Sequence, residues 1–148
     1  MAGISETVAR MPSGRTGWRP DGSRTPAGTA PVPRFEPRRG FSDGEVLDMP
    51  GSPRVVHAPG HTGGSAAILL EDRSILFTGD VLCTHNAYTG RDGPQIMPSG
   101  LNADTPQALA SLANLAGIKA GVLLPGHGEP WTEGVEEAIR QARAAGPS

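Results

Sequence analysis

From Asp43 onward, short apolar runs alternate with glycine-containing polar breaks, and the period of the runs changes along the chain. Asp43-Gly44 turns the chain, Glu45-Val46-Leu47-Asp48 predicts a short strand, and Pro50-Gly51 turns it again. Arg54-Val55-Val56-His57 is β-branched and apolar and ends before Pro59-Gly60, which predicts a second strand. Ser65 to Leu70 is apolar, Glu71-Asp72-Arg73 is polar, and Ser74 to Thr78 is apolar again, so the spacing predicts a β-hairpin with a three-residue loop. The run from Asp80 to Leu101 has little periodicity and contains Thr89-Gly90-Arg91-Asp92-Gly93-Pro94, which predicts a long ordered loop. The period then becomes helical. Asp104 or Thr105 caps a helix with Pro106 at its first position, Leu109, Leu112, Leu115 and Ala116 form its apolar stripe, and Gly117 ends it. Gly121 to Leu124 predicts a short buried strand. Thr132 then caps a last helix, with Glu133, Glu136 and Glu137 early in it, as the helix dipole favours, and Val135, Ala138, Ile139 and Ala142 facing inward. Strands followed by strand–helix alternation predict α/β or α+β layers, and no internal repeat is present.

The first 30 residues differ in kind. They have almost nothing to bury and read as a disordered leader, leaving residues 31–148 as the single domain. Their arginine-rich, acid-poor composition has something of a transit peptide, but the density of Pro and Gly favours an unstructured leader. Arg34-Phe35-Glu36-Pro37-Arg38-Arg39 is basic and reads as a solvated linker. Residues 1–40 hold seven arginines and three acids, whereas residues 41–148 hold six basic and twelve acidic residues. The formal net charge of −2 gives no general case for nucleic-acid binding, and no apolar run approaches membrane-spanning length. The single cysteine, Cys83, excludes an internal disulfide and fits a reducing cytoplasm.

Three pieces carry the chemistry: Pro59-Gly60-His61-Thr62-Gly63-Gly64-Ser65, Phe77-Thr78-Gly79-Asp80, and Leu124-Pro125-Gly126-His127-Gly128. Each is an apolar strand running into a glycine-containing loop that presents a His or an Asp. Two imidazoles and a carboxylate held at strand ends suit a metal site. In order and separation, the three motifs together resemble the C-terminal half of the metallo-β-lactamase-fold hydrolases, over roughly residues 31–146. The family's HxHxDH run, which normally lies upstream of them, does not occur in this sequence, whose first histidine is His57. The resemblance implies part of an αββα sandwich. It also implies a zinc-dependent hydrolase acting on a small molecule with an ester, thioester, lactone or similar bond. By the same resemblance His61 completes one metal position, Asp80 bridges two, and His127 completes the second.

Other residues read differently. His57 lies four residues before His61, but Pro59-Gly60 forbids a helix, so His57 reads as a strand-end residue supporting the site. His85 is a loop histidine that could contact substrate or serve as a ligand. Cys83 reads as a small buried hydrophobe. Trp131 reads as packing for the last helix. Gly63-Gly64-Ser65 precedes a strand, so no helix N-terminus is there to hold a phosphate. Two functional classes remain open. One is a metal-dependent hydrolase. The other is a non-catalytic remnant or half-domain whose metal site needs a partner chain. An apolar sheet face left uncovered would favour homodimers.

Overall fold

A computed structural model describes residues 40–148, so the leader expected over residues 1–30 and the basic run 34–39 lie outside the described residues. Among the described residues six strands and two α-helices follow one another: β1 (Arg54–His57), β2 (Ala66–Leu70), β3 (Ile75–Gly79), β4 (Cys83–Asn86), β5 (Arg91–Gln95), α1 (Thr105–Ser111), β6 (Val122–Pro125) and α2 (Val135–Ala145). The main sheet has the order β1-β2-β3-β6, and β4 and β5 form a separate two-stranded sheet. β1–β2 and β2–β3 are antiparallel, whereas β3–β6 is parallel. β1, β3 and β6 therefore run the same way, and their C-terminal ends lie along one edge of the sheet. The mixed α/β architecture expected from the sequence is what the chain forms.

Alternation decides which residues enter the core. Val56, Ala67, Leu69, Leu76 and Leu123 share one face of the main sheet, since Val56 pairs with Ala67 and Leu69 with Leu76 and Leu123 in turn. Against them lie Ala108 of α1, Leu112 and Leu115 of the 3₁₀ turn that continues it, and Val135, Ala138, Ile139 and Ala142 of α2. The opposite face carries a second apolar row, Val55–Ile68–Phe77–Leu124, in which Phe77 is 40% exposed.

Several local expectations need correction. Residues 45–48 make an isolated bridge from Val46 to Arg54 rather than a strand, because their surroundings leave Val46 exposed and unpacked. Glu71–Arg73 closes the hairpin as a 3₁₀ turn, with Ser74 in the left-handed region at its end. The expected long loop after Asp80 contains the β4–β5 hairpin. Its tip is built by a side chain: Asn86 Oδ1 accepts from the Tyr88 and Thr89 N–H groups, 3.0 and 3.2 Å away. The stripe of α1 ends early, since the helix tightens into 3₁₀ geometry at Leu112 and Ala116 is exposed. The N-cap of α2 is Gly134, not Thr132. The Asp104 cap is as expected, its side chain accepting from Gln107 N–H at 2.9 Å.

Leu123 is fully buried in the core although it lies on β6, at the end of the sheet order. Leu123→Ala is expected to lower unfolding free energy by about 2–5 kcal/mol in chemical denaturation. Phe77→Ala, on the open face, is expected to cost less.

Candidate active site

The loop after β1 is stitched to helix α1 along most of its length. The Asp104 and Ala103 N–H groups donate to Gly60 and His61 carbonyls at 2.9 and 3.0 Å. Ser111 Oγ donates to Pro59 O at 2.6 Å, and Asn114 Nδ2 donates to His57 O at 2.8 Å. Gly60 has φ +140°, and a Cβ there would overlap the backbone of Ala108. Only glycine lets α1 sit this close, and that approach fixes the base of His61.

Asp80 and His127 are positioned by the parallel pair. β3 ends at Gly79 beside Pro125 of β6, and the Gly126 N–H donates to Gly79 O at 3.0 Å. A Cβ on Gly126 would lie 2.5 Å from Asp80 Oδ1, so the glycine leaves room for the carboxylate. The His127 carbonyl accepts from Thr84 N–H at 2.9 Å, tying the loop to β4.

The three side chains meet through Asp80. His61 Nε2 is 3.4 Å from Asp80 Oδ2, and His127 Nε2 is 3.5 Å from Asp80 Oδ1. Each carboxylate oxygen thus faces a different imidazole. Ligands on one tetrahedral zinc, bonded at about 2.0–2.1 Å, stand about 3.3 Å apart. Donor types and spacing fit a carboxylate bridging two metal positions. Among the described residues each Asp80 oxygen faces one imidazole, two donors where a catalytic zinc takes three. Among the described residues no group of three or more His, Cys, Asp or Glu closes around one point. His61 Nδ1 is also buried without a hydrogen-bond partner, whereas a ligating histidine normally donates from its second nitrogen. Among the described residues the three side chains cluster without closing around one point.

The other singled-out residues stand apart from this cluster. His57 Nε2 donates to Gly63 O at 3.0 Å, and its backbone N–H donates to Asp43 Oδ1 at 2.8 Å, so it braces the His61 loop. His85 Nδ1 lies 2.8 Å from Asp92 Oδ1, a pair that motif reading missed because both residues fell in one apparent loop. Cys83 is fully buried, and burial, then the nearby Asp80 charge, pushes its thiol up from the ordinary cysteine range. Trp131 packs against the core, and its Nε1–H donates to Gly134 O at 3.0 Å. A cavity of about 760 Å³ beside Asp43, Arg54, Glu71, Asn114 and Lys119 includes none of the three central residues. Among the described residues no helix is long and apolar enough to cross a membrane.

Known proteins resemble this chain. The family model described as the metallo-beta-lactamase superfamily matches residues 4–127, beginning inside the stretch read as a leader. The chain is 33% identical over 86 residues to the probable metallo-hydrolase YflN of Bacillus subtilis, covering 52% of this chain and 31% of that protein. It is 30% identical over 110 residues to the hydroxyacylglutathione hydrolase GloC of Haemophilus influenzae, covering 72% and 48%. Among solved structures, the metallo-beta-lactamase family protein TTHA1429 of Thermus thermophilus superposes with a TM-score of 0.53 at 30% identity, covering 71% and 34%. TTHA1623 in a di-iron-bound form gives 0.51 at 25% identity, covering 73% and 48%. The chain thus spans less than half the length of each of these relatives.

Gly60→Ala is expected to cost about 1–3 kcal/mol in thermal or chemical unfolding, since φ and the α1 backbone both oppose a Cβ. Cys83 is expected to resist thiol reagents in the native state at neutral pH and to react at once on unfolding. Because the folded state holds the thiol proton more tightly, its contribution to stability is complete below the ordinary thiol range. That contribution is lost as pH rises above the ordinary range and through the raised native value, which alkaline denaturation curves of the wild type and Cys83→Ala would register.

Proposed function

This chain belongs to the metallo-beta-lactamase superfamily, and we propose that it carries the His61–Asp80–His127 side of a zinc-dependent hydrolase site. The substrate class is a small molecule with an ester, thioester, lactone or similar bond. One observation carries the reading: the ends of three co-directional strands bring two imidazoles onto the two oxygens of a single carboxylate, at 3.4 and 3.5 Å. Bound zinc would lower the pKa of a coordinated water towards about 7 and so make a hydroxide nucleophile available at neutral pH. The chain's own residues do the holding. His61 is carried on a loop pinned to α1, His127 on a loop pinned to β4, and Asp80 between them on the stub of β3. The relatives named as hydrolases support the reaction class, and the di-iron-bound neighbour supports a metal, while the choice of zinc rests on the donor types.

A second reading has its own support. Among the described residues, two donors on each side of Asp80 leave each metal position short, and the remaining histidines are engaged elsewhere, His57 with Gly63 and His85 with Asp92. In this reading a partner chain, either another copy or a different polypeptide, supplies the further ligands. The apolar row through Phe77 offers it a surface on the opposite face of the sheet.

Zinc titration with a chromophoric competitor separates the two. The first reading expects one or more equivalents bound, with affinity reduced at least about tenfold by His61→Ala or by Asp80→Asn. It also expects hydrolysis of a nitrophenyl ester that both variants lose. Absence of zinc binding to the isolated chain would sink it. Zinc uptake accompanied by a doubling of mass in light scattering would instead support completion by a second copy.

A further inference from the structure

The β4–β5 hairpin holds a pair of residues that the metal reading leaves unused. His85 and Asp92 face each other across the two strands, with Nδ1 and Oδ1 2.8 Å apart. An ionised carboxylate can only accept, so the neutral ring carries its proton on Nδ1 and presents an unshared pair at Nε2. Asp92 fixes the tautomer, as a carboxylate does for a catalytic imidazole.

His85 also stands between two cavities. One, of about 430 Å³, is lined by Thr84, Asp92, Glu129 and Trp131 among others. The other, of about 250 Å³, has His85 and His127 in its wall and is otherwise bounded chiefly by Ala87, Tyr88, Met97, Pro98 and Leu101. Asn86 also borders it, but its amide is spent on the hairpin tip and on Ser148 Oγ, 3.1 Å away. The polar side-chain groups left to meet a ligand in this crevice are thus the two imidazoles and the Tyr88 hydroxyl. Tyr88 and Leu101 on its border are large and well exposed, at 76% and 41%. Large apolar side chains left open beside a concave surface are a common mark of a ligand site.

We propose that this crevice is the leaving-group subsite of the hydrolase site: it takes the compact apolar group of an ester's alcohol part, and once the attacking water has bonded to the acyl carbon and one of its protons has passed to the departing oxygen, the released alcohol's hydroxyl donates to His85 Nε2. The inference rests on the hydrolase reading for its placement, since His127 puts the reacting bond at one end of the crevice. It names the substrate class more closely, as esters of small apolar alcohols. His85 touches the ligand, and Asp92 is a positioning residue that acts through it.

The test needs no metal. Binding of benzyl alcohol and of benzyl methyl ether, which has the same ring but no donor, is followed by NMR on the full metal-free chain. The alcohol is expected to shift the amides of Tyr88 and Leu101 and the ring nitrogens of His85, and to bind about two- to tenfold more tightly than the ether. Asp92→Asn is expected to change the His85 ring nitrogen shifts and erase the preference for the alcohol while leaving ether binding intact. Leu101→Asp is expected to abolish both. Because Asp92 and Leu101 are exposed, both variants should retain the wild-type circular dichroism. Equal affinity for alcohol and ether, shifts confined to another surface, or an Asp92→Asn variant that keeps the preference would each overturn the proposal. Zinc titration stands apart from these outcomes, so a failed subsite and a failed metal site are told apart.

Discussion

The parallel pairing of β3 with β6, with β1 running the same way two strands over, sets where the loops carrying His61, Asp80 and His127 leave the sheet. A parallel pair places the exits of both strands side by side, and an antiparallel strand between β1 and β3 brings the exit of β1 to the same edge. Ligand sites in open α/β sheets form beyond such carboxyl ends, because loops leaving one edge can converge while the strands hold their stems rigid. Here the stems are short, so the burden falls on the residues just past them. Asp80 follows Gly79 directly, and His127 is two residues beyond Pro125. The side chains have little freedom to wander.

Close approach of backbones does the rest. Gly60 allows α1 to lie against the His61 loop, and Gly126 makes space for the Asp80 carboxylate. Both are places where a single methyl group would separate two elements that must touch. The hydrogen bonds around them are local and numerous, so the His61 loop is fixed by α1 as much as by its own turns. Fold and site are consequently coupled: the contact that buries Ala108 also determines where His61 begins.

Much of this was legible in the residues themselves. Arg54–His57 was bounded correctly by its β-branched pair and the following Pro-Gly, and the core face of α2 followed from its apolar spacing. His61, Asp80 and His127 could be singled out because each sits in a glycine-containing stretch just after an apolar strand, in three motifs whose order and spacing carry the family resemblance. What escaped notice shares one physical cause, stabilisation from outside the segment. Cys83–Asn86 and Arg91–Gln95 contain Thr, His, Asn, Arg, Asp, Gly and Pro in place of an alternating apolar pattern. They pair because α2 packs on β5 and because the Asn86 side chain builds the turn. No period in the sequence announces either. The His85–Asp92 contact was invisible for the same reason, since it exists only once the strands are in register.

Asp80 serves both imidazoles with one side chain, an oxygen to each. The two histidines are therefore linked through a shared node even though no bond joins them. In genetic terms that makes the node epistatic to its neighbours. In a background lacking the carboxylate, altering either histidine would change little more, whereas in its presence each change is felt separately.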